Sequence, residues 1–235
     1  MTPFLLIPGL NANARVYRDV TEALWPFGPV FVANTLDGEG MAGITASILR
    51  SAPSHFALVG FSMGGYLAFE LLRQAPRRIT KLSLIDTSAR PDSPESTDVR
   101  RRRIEQTRAG KFPLVVEQSF AGSAHPDHIG DEALKAIHRG MALANGPEAY
   151  VRHQEAIIAR PDSRPMLGSI SVPTLIVVGE GDQITPPDAA REMHAAIVGS
   201  RLAVVPDAGH LALLEQPQIV IAALVSWAQS NIAPN

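Results

Sequence analysis

VGFSMGGYLAFELL, running from Val59 to Leu72, decides how this chain is read. An apolar run reaches Gly60 and meets a single serine. It then passes Gly64 and Gly65 and continues as a second apolar segment with helical spacing. A serine among glycines is by itself only a turn. A serine hydroxyl that acts as a nucleophile needs more: a base to take its proton, an acid to orient that base, and donors for an oxyanion. The spacing Gly60-Phe61-Ser62-Met63-Gly64 fits G-x-S-x-G, the sharp strand-to-helix turn known as a nucleophile elbow. Side chains at positions 60 and 64 of such a turn would collide with the adjacent strand and helix. Gly64, Gly65 and Ala68 also let the helix lie close to the sheet. The helix N-terminus then presents free N–H groups and a positive dipole end to developing negative charge.

Outward from the elbow, short apolar runs alternate with amphipathic segments. The strand-like runs are Phe4–Pro8, Val30–Asn34, Phe56–Gly60, Leu82–Asp86, Thr174–Gly179 and Leu202–Pro206. They are continuously apolar rather than alternating, as strands covered on both faces are. The helical segments are Val16–Trp25, Gly43–Arg50, Met63–Gln74, Ala189–Ile197 and Ala212–Ala228. This order predicts an α/β fold, a mostly parallel sheet of about six strands flanked by helices.

The rhythm breaks between Ser88 and Ser171. No strand is expected there, and helices are expected at Val99–Arg108, Leu114–Phe120, Glu132–Ala144 and Ala149–Arg160. The segment holds 12 Lys/Arg against 11 Asp/Glu, so its composition does not favour a charged or a neutral ligand. It reads as a helical insertion over one end of the sheet.

The remaining roles follow in chain order. After the strand ending at Gly179 comes Glu180-Gly-Asp182-Gln-Ile-Thr-Pro-Pro187, a loop with a carboxylate. After the strand ending at Pro206 comes Asp207-Ala-Gly-His210-Leu211, a loop with a histidine. Ser62, Asp182 and His210 thus all fall just past carboxyl ends of strands, where open parallel sheets carry their sites. Asp182 competes with an Asx-turn role in its own loop, and Asp86 and Asp207 are the other carboxylates near strand ends.

The chain resembles the α/β-hydrolase fold superfamily, in particular its small serine esterases and lactonases. "LLIPGL", "GFSMGG", "PTLIVVGEGDQITPP" and "DAGHLALLEQP" occur in the order and spacing of that superfamily. The resemblance implies Ser62 as nucleophile, His210 as base and Asp182 as orienting acid. It implies an oxyanion hole from the backbone N–H groups of Leu10 and Met63. It also implies a core of residues 1–87 and 172–235, with 88–171 as a helical cap over the site. Members of that superfamily often carry two further strands ahead of the one matching Phe4–Pro8; here about six core strands are expected. Many relatives have His-Gly where this chain has Pro8-Gly9, and a proline has no N–H with which to hold the oxyanion loop. The activity implied is hydrolysis of a carboxylic ester or lactone through an acyl-enzyme, without cofactor or metal. C–C hydrolases of ring-cleavage products and perhydrolases share the triad and are alternatives. A non-catalytic ligand-binding receptor on the same fold is the alternative of another class, separated by burst release from a p-nitrophenyl ester.

The bulk composition bounds the rest. Of 235 residues, 46% are apolar and 19% charged, as in folded globular chains. A net charge of −2 argues against a nucleic-acid or anionic-membrane partner. No cysteine is present, which excludes disulfides and thiolate chemistry. Phe4–Ile7 lacks a basic leader and runs into Pro8-Gly9, so it reads as a strand rather than a signal segment. A soluble, cytoplasmic protein with a small-molecule substrate is expected. His125, His128 and Asp131 look like a metal cluster but lack rigid spacing, and no metal is expected there. Arg100–Arg103, beside Asp98 and Glu105, read as a solvated helix face. Phe112, Phe120, Met141 and Met166 fit an acyl pocket and interior packing equally well.

Overall fold

The structure, a computed structural model, describes residues 1–230. Six strands form one sheet: β1 (Phe4–Ile7), β2 (Val30–Val32), β3 (Phe56–Phe61), β4 (Ile79–Ile85), β5 (Thr174–Gly179) and β6 (Arg201–Val205). Their order is β2-β1-β3-β4-β5-β6, and every pairing is parallel. The helices are α1 (Arg18–Leu24), α2 (Gly40–Ser51), α3 (Met63–Gln74), α4 (Pro94–Gln106), α5 (Phe112–Ser123), α6 (Glu132–Asn145), α7 (Pro147–Ile158), α8 (Pro187–Ala196), α9 (Ala212–Glu215) and α10 (Pro217–Gln229).

The continuous apolar runs are explained by two cores. Alternate residues along each strand point to opposite faces. Leu5 and Ile7 of β1 pack with Ile44 of α2, Leu67 of α3 and Met193 of α8. Phe4 and Leu6 pack with Val20 of α1 and Trp227 of α10 on the other side. Both faces of the central strands are therefore buried, while the edge strands β2 and β6 are partly exposed.

Several expected boundaries move, each for a local reason. β4 begins at Ile79, three residues before the expected Leu82, because Lys81 interrupts the apolar run that marked the strand. Lys81 Nζ donates to the carbonyls of Trp227, Ala228 and Ser230, satisfying the carboxyl end of α10. The expected helix Ala212–Ala228 is two helices. Gln216 leaves the α region, which a following proline disfavours, at φ −132° and ψ 57°, and Pro217 starts α10. Similarly, α4 starts at Pro94 instead of Val99, because the Ser93 side chain accepts from the Ser96 N–H and caps it.

Between β4 and β5 the chain makes α4 to α7 and no strand. This excursion has a small cluster of its own, with Phe112, Val115, Val116, Ala142 and Tyr150. It is also tied into both main cores, through Ile157 on one face and Phe120, Leu134 and Met141 on the other. Phe120 is thus packed in the interior, whereas Met141 packs there and also lines the cavity described below. No helix among the described residues is long and apolar enough to cross a membrane.

Candidate active site

Ser62 stands between β3 and α3 with φ 54° and ψ −117°. That backbone is sparsely populated for a residue with a side chain and is held by its surroundings. The Ser62 N–H donates to Ile85 O at 2.9 Å, and the Ser62 carbonyl accepts from Gly65 N–H and from Thr87 Oγ1, both at 2.8 Å. Gly64 makes the close approach possible, since a Cβ there would overlap the backbone oxygen of Ile7 on β1. Although Ser62 occupies the N-cap position of α3, its hydroxyl makes no capping hydrogen bond. It faces His210 instead, with Oγ 2.8 Å from Nε2.

His210 Nδ1 lies 2.8 Å from Asp182 Oδ2. The two candidate roles of Asp182 turn out to be compatible, because each carboxylate oxygen serves one. Oδ1 accepts from the N–H groups of Ile184 and Thr185, at 2.8 and 3.0 Å, and so closes the Asx turn. Oδ2 accepts from Thr185 Oγ1 at 2.7 Å and faces the imidazole. Burial by itself would raise this carboxyl, but His210 and the Thr185 donors outweigh it and hold it below the usual aspartate range. An ionised Asp182 can only accept, so the proton of neutral His210 sits on Nδ1. Nε2 is then left with a lone pair towards the Ser62 hydroxyl.

The other two carboxylates do not reach the imidazole. Asp207 is exposed at a turn with φ 51°. Asp86 is fully buried, and its Oδ1 accepts from Gly179 N–H at 2.8 Å, which ties the end of β4 to the end of β5. Its Oδ2 has no partner among the described residues. Burial first, and then the charge of Asp182, push this carboxyl well above the ordinary aspartate value. Of two neighbouring buried carboxyls, Asp86 is the one raised and Asp182 the one lowered.

The backbone N–H groups of Leu10 and Met63 donate to no protein acceptor among the described residues. Met63 is the first residue of α3. Leu10 sits in a turn closed by Ala12 N–H to Gly9 O at 3.1 Å, with Asn11 at φ 61°, a conformation asparagine tolerates. Pro8 cannot hold this turn, but Tyr17 Oη donates to Ile7 O at 2.7 Å immediately before it. Gly9 lets the loop reach Ser62, whose Cβ would lie 2.9 Å from a Cβ at that glycine.

The His210 loop is clamped by a residue that sequence reading passed over. Glu215 of α9 has a fully buried side chain and accepts from the N–H groups of His125, Gly209 and Leu211, while His128 Nδ1 lies 2.9 Å away. Its signal was the spacing from His210, which is legible only once α9 is known to fold back. The three suspected metal ligands have structural places here: His125 and His128 meet Glu215, and Asp131 caps α6 by accepting from Ala133 and Leu134 N–H.

A cavity of about 370 Å³ opens on Ser62 and His210, walled by the Leu10 loop and by α4 to α7. His138 of α6 lines it as a neutral imidazole, lowered to about 4 by burial and by His210. Arg100 and Arg103 also line it, which corrects the reading of Arg100–Arg103 as a solvated face; only Arg101 and Arg102 are exposed. Residues one helical turn apart share a face, and here that face is internal.

A doubly covered parallel sheet, with serine, histidine and aspartate joined at its carboxyl edge, defines the class of fold and site. A family model described as "Alpha/beta hydrolase family" matches residues 4–223, and the chain belongs to that family. It is 30% identical over 245 residues to the pimeloyl-[acyl-carrier protein] methyl ester esterase of Neisseria meningitidis serogroup B, covering 91% of this chain and 87% of that protein. It is 27% identical to the polyketide synthase ThaQ of Burkholderia thailandensis, over 97% of this chain but only 12% of the synthase. Among solved structures, a thermophilic esterase from Thermogutta terrifontis, with malate bound, superposes with a TM-score of 0.86. The two are 30% identical, and the match covers 97% of this chain and 89% of the esterase.

Proposed function

We propose that the protein is a serine hydrolase that cleaves a carboxylic ester or lactone through an acyl-enzyme intermediate. The observation that carries this reading is the continuous relay from Ser62 Oγ through His210 to Asp182, with both contacts at 2.8 Å. His210 Nε2 takes the Ser62 proton as Oγ attacks the carbonyl carbon. The carbonyl oxygen becomes an oxyanion, met by the Leu10 and Met63 N–H groups and by the positive end of α3. Asp182 stabilises the imidazolium that forms. His210 then gives its proton to the leaving alcohol, and a water, deprotonated by the same nitrogen, releases the acid and restores Ser62. Helices α4 to α7 act as a cap that bounds the substrate cavity.

A fluorophosphonate probe tests this. It is expected to add once per chain, at Ser62, and Ser62→Ala is expected to lose both labelling and ester hydrolysis while keeping its circular dichroism spectrum. An adduct mapped to another residue, or undiminished hydrolysis by Ser62→Ala, overturns the assignment.

A further inference from the structure

The cavity wall opposite a neutral histidine carries an unbalanced set of charges. Asp92, its side chain 1% exposed, accepts from Arg100 Nε at 3.1 Å and from Arg160 Nη1 at 2.8 Å through one oxygen. Its other oxygen accepts from Thr97 Oγ1 at 2.8 Å. One carboxylate thus answers two guanidinium groups. Arg103, a turn further along α4, lines the cavity and makes no side-chain hydrogen bond or ion pair with any described residue. Glu95, the acidic residue at the cavity, lies exposed at the start of α4 and pairs with neither arginine.

A hydroxyl is aimed by the same network. Arg100 Nη1 donates to Gln154 Oε1 at 2.8 Å, which fixes the orientation of a fully buried amide. Gln154 Nε2 then donates to Tyr150 Oη at 2.7 Å. The tyrosine oxygen already accepts, so its own proton remains to be donated, and Tyr150 is a buried residue that lines the cavity. A guanidinium without a carboxylate and a phenol O–H without an acceptor are the donors a carboxylate takes, through charge-assisted hydrogen bonds.

We propose that Arg103 and the Tyr150 hydroxyl, aligned by Arg100 and Gln154, form a carboxylate-binding subsite, and that the preferred substrate is an ester bearing a second, ionised carboxyl group. The subsite rests on the serine hydrolase reading of Ser62. It adds no chemical step, because water still replaces the alcohol at the scissile carbonyl while the distal carboxylate is only held.

The test compares monomethyl esters of straight-chain dicarboxylic acids, from succinate to suberate, with methyl alkanoates of matched length, following acid release at low salt. The anionic ester is expected to lead by about tenfold or more in kcat/KM at the best length, mainly through KM. Arg103→Gln is expected to lower the anionic-to-neutral ratio by about tenfold, Tyr150→Phe by a smaller factor, and Arg103→Lys to keep part of it. The ratio is insensitive to partial misfolding, which lowers both rates together. Binding of the monomethyl esters to Ser62→Ala, by calorimetry, is expected to weaken when Arg103→Gln is added. A preference for neutral esters at every length overturns the subsite, as does a ratio or an affinity unmoved by Arg103→Gln. Ser62-dependent hydrolysis of p-nitrophenyl acetate alongside such a result would leave the hydrolase reading standing and remove only the subsite.

Discussion

Asp86 and Asp182 are both buried near the carboxyl edge of the sheet, and their surroundings shift their carboxyls in opposite directions, Asp86 up and Asp182 down. In the proposed mechanism, an ionised Asp182 holds the Nδ1–H tautomer of His210 and stabilises the imidazolium. Asp182→Asn is therefore expected to lower kcat by at least ~10²-fold, where the corresponding change in a serine protease costs ~10⁴. A protonated Asp86 would differ from asparagine by little more than O–H against N–H. Asp86→Asn keeps the acceptor for Gly179 N–H and is expected to cost less than ~10-fold. Steady-state kinetics on a p-nitrophenyl ester decide between the two, and a reversed order would move the orienting acid to β4. The sequence offered three carboxylates near strand ends and favoured Asp182 by chain order and resemblance; the contact itself, an oxygen 2.8 Å from the imidazole, is visible only in the fold.

The elbow depends on how closely α3 can approach β1. A Cβ at Gly64 would overlap the Ile7 carbonyl oxygen, which is backbone and cannot swing aside as a side chain can. Gly64→Ala is expected to push α3 off the sheet and to cost about 1–3 kcal/mol or more by overpacking. A lower urea midpoint at unchanged slope would show it, and stability equal to wild type would refute it. The same shift would carry Met63 N–H out of line with Leu10, so kcat should fall along with stability. Elements with one driving force were legible from the chain: uninterrupted apolar runs became strands, and the glycine-serine pattern became the elbow. Elements shaped by a distant partner were not. Ile79–Lys81 reads as polar until Lys81 meets the carbonyls of α10, and Glu215 is an ordinary helix residue until α9 folds back on the His210 loop.

The balance of the whole molecule against pH follows from the same two carboxyls. Asp86 is raised in the folded state, so folding takes up a proton above the ordinary aspartate value of 3.8. Its contribution to stability is present below that value and falls as pH rises towards its folded value. Asp182 is lowered, so its contribution is present above the ordinary value and is lost as pH falls through the folded one. Asp86→Asn removes only the first effect. Its stability relative to wild type is expected to improve as pH rises above the ordinary aspartate value towards the folded value of Asp86, measured by urea unfolding at each pH. A difference that stays constant with pH would mean that Asp86 is ionised in the fold.

The amino-acid sequence by itself determined the class of this protein. Continuous apolar runs, the G-x-S-x-G turn and the order Ser62, Asp182, His210 are local patterns, and they prescribe a doubly covered parallel sheet with its site at the carboxyl edge. The arrangement of charges around the cavity lay beyond its reach. Counted along the chain, residues 88–171 are nearly neutral, and Arg100–Arg103 look like one solvated run. Folding turns Arg101 and Arg102 to water and Arg100 and Arg103 to the cavity, and it commits the oxygens of Asp92 to Arg100, Arg160 and Thr97. A net charge is a sum over residues, whereas a binding site is set by which charges remain without a partner once the low-dielectric interior has paired the others. Only the tertiary structure carries that difference.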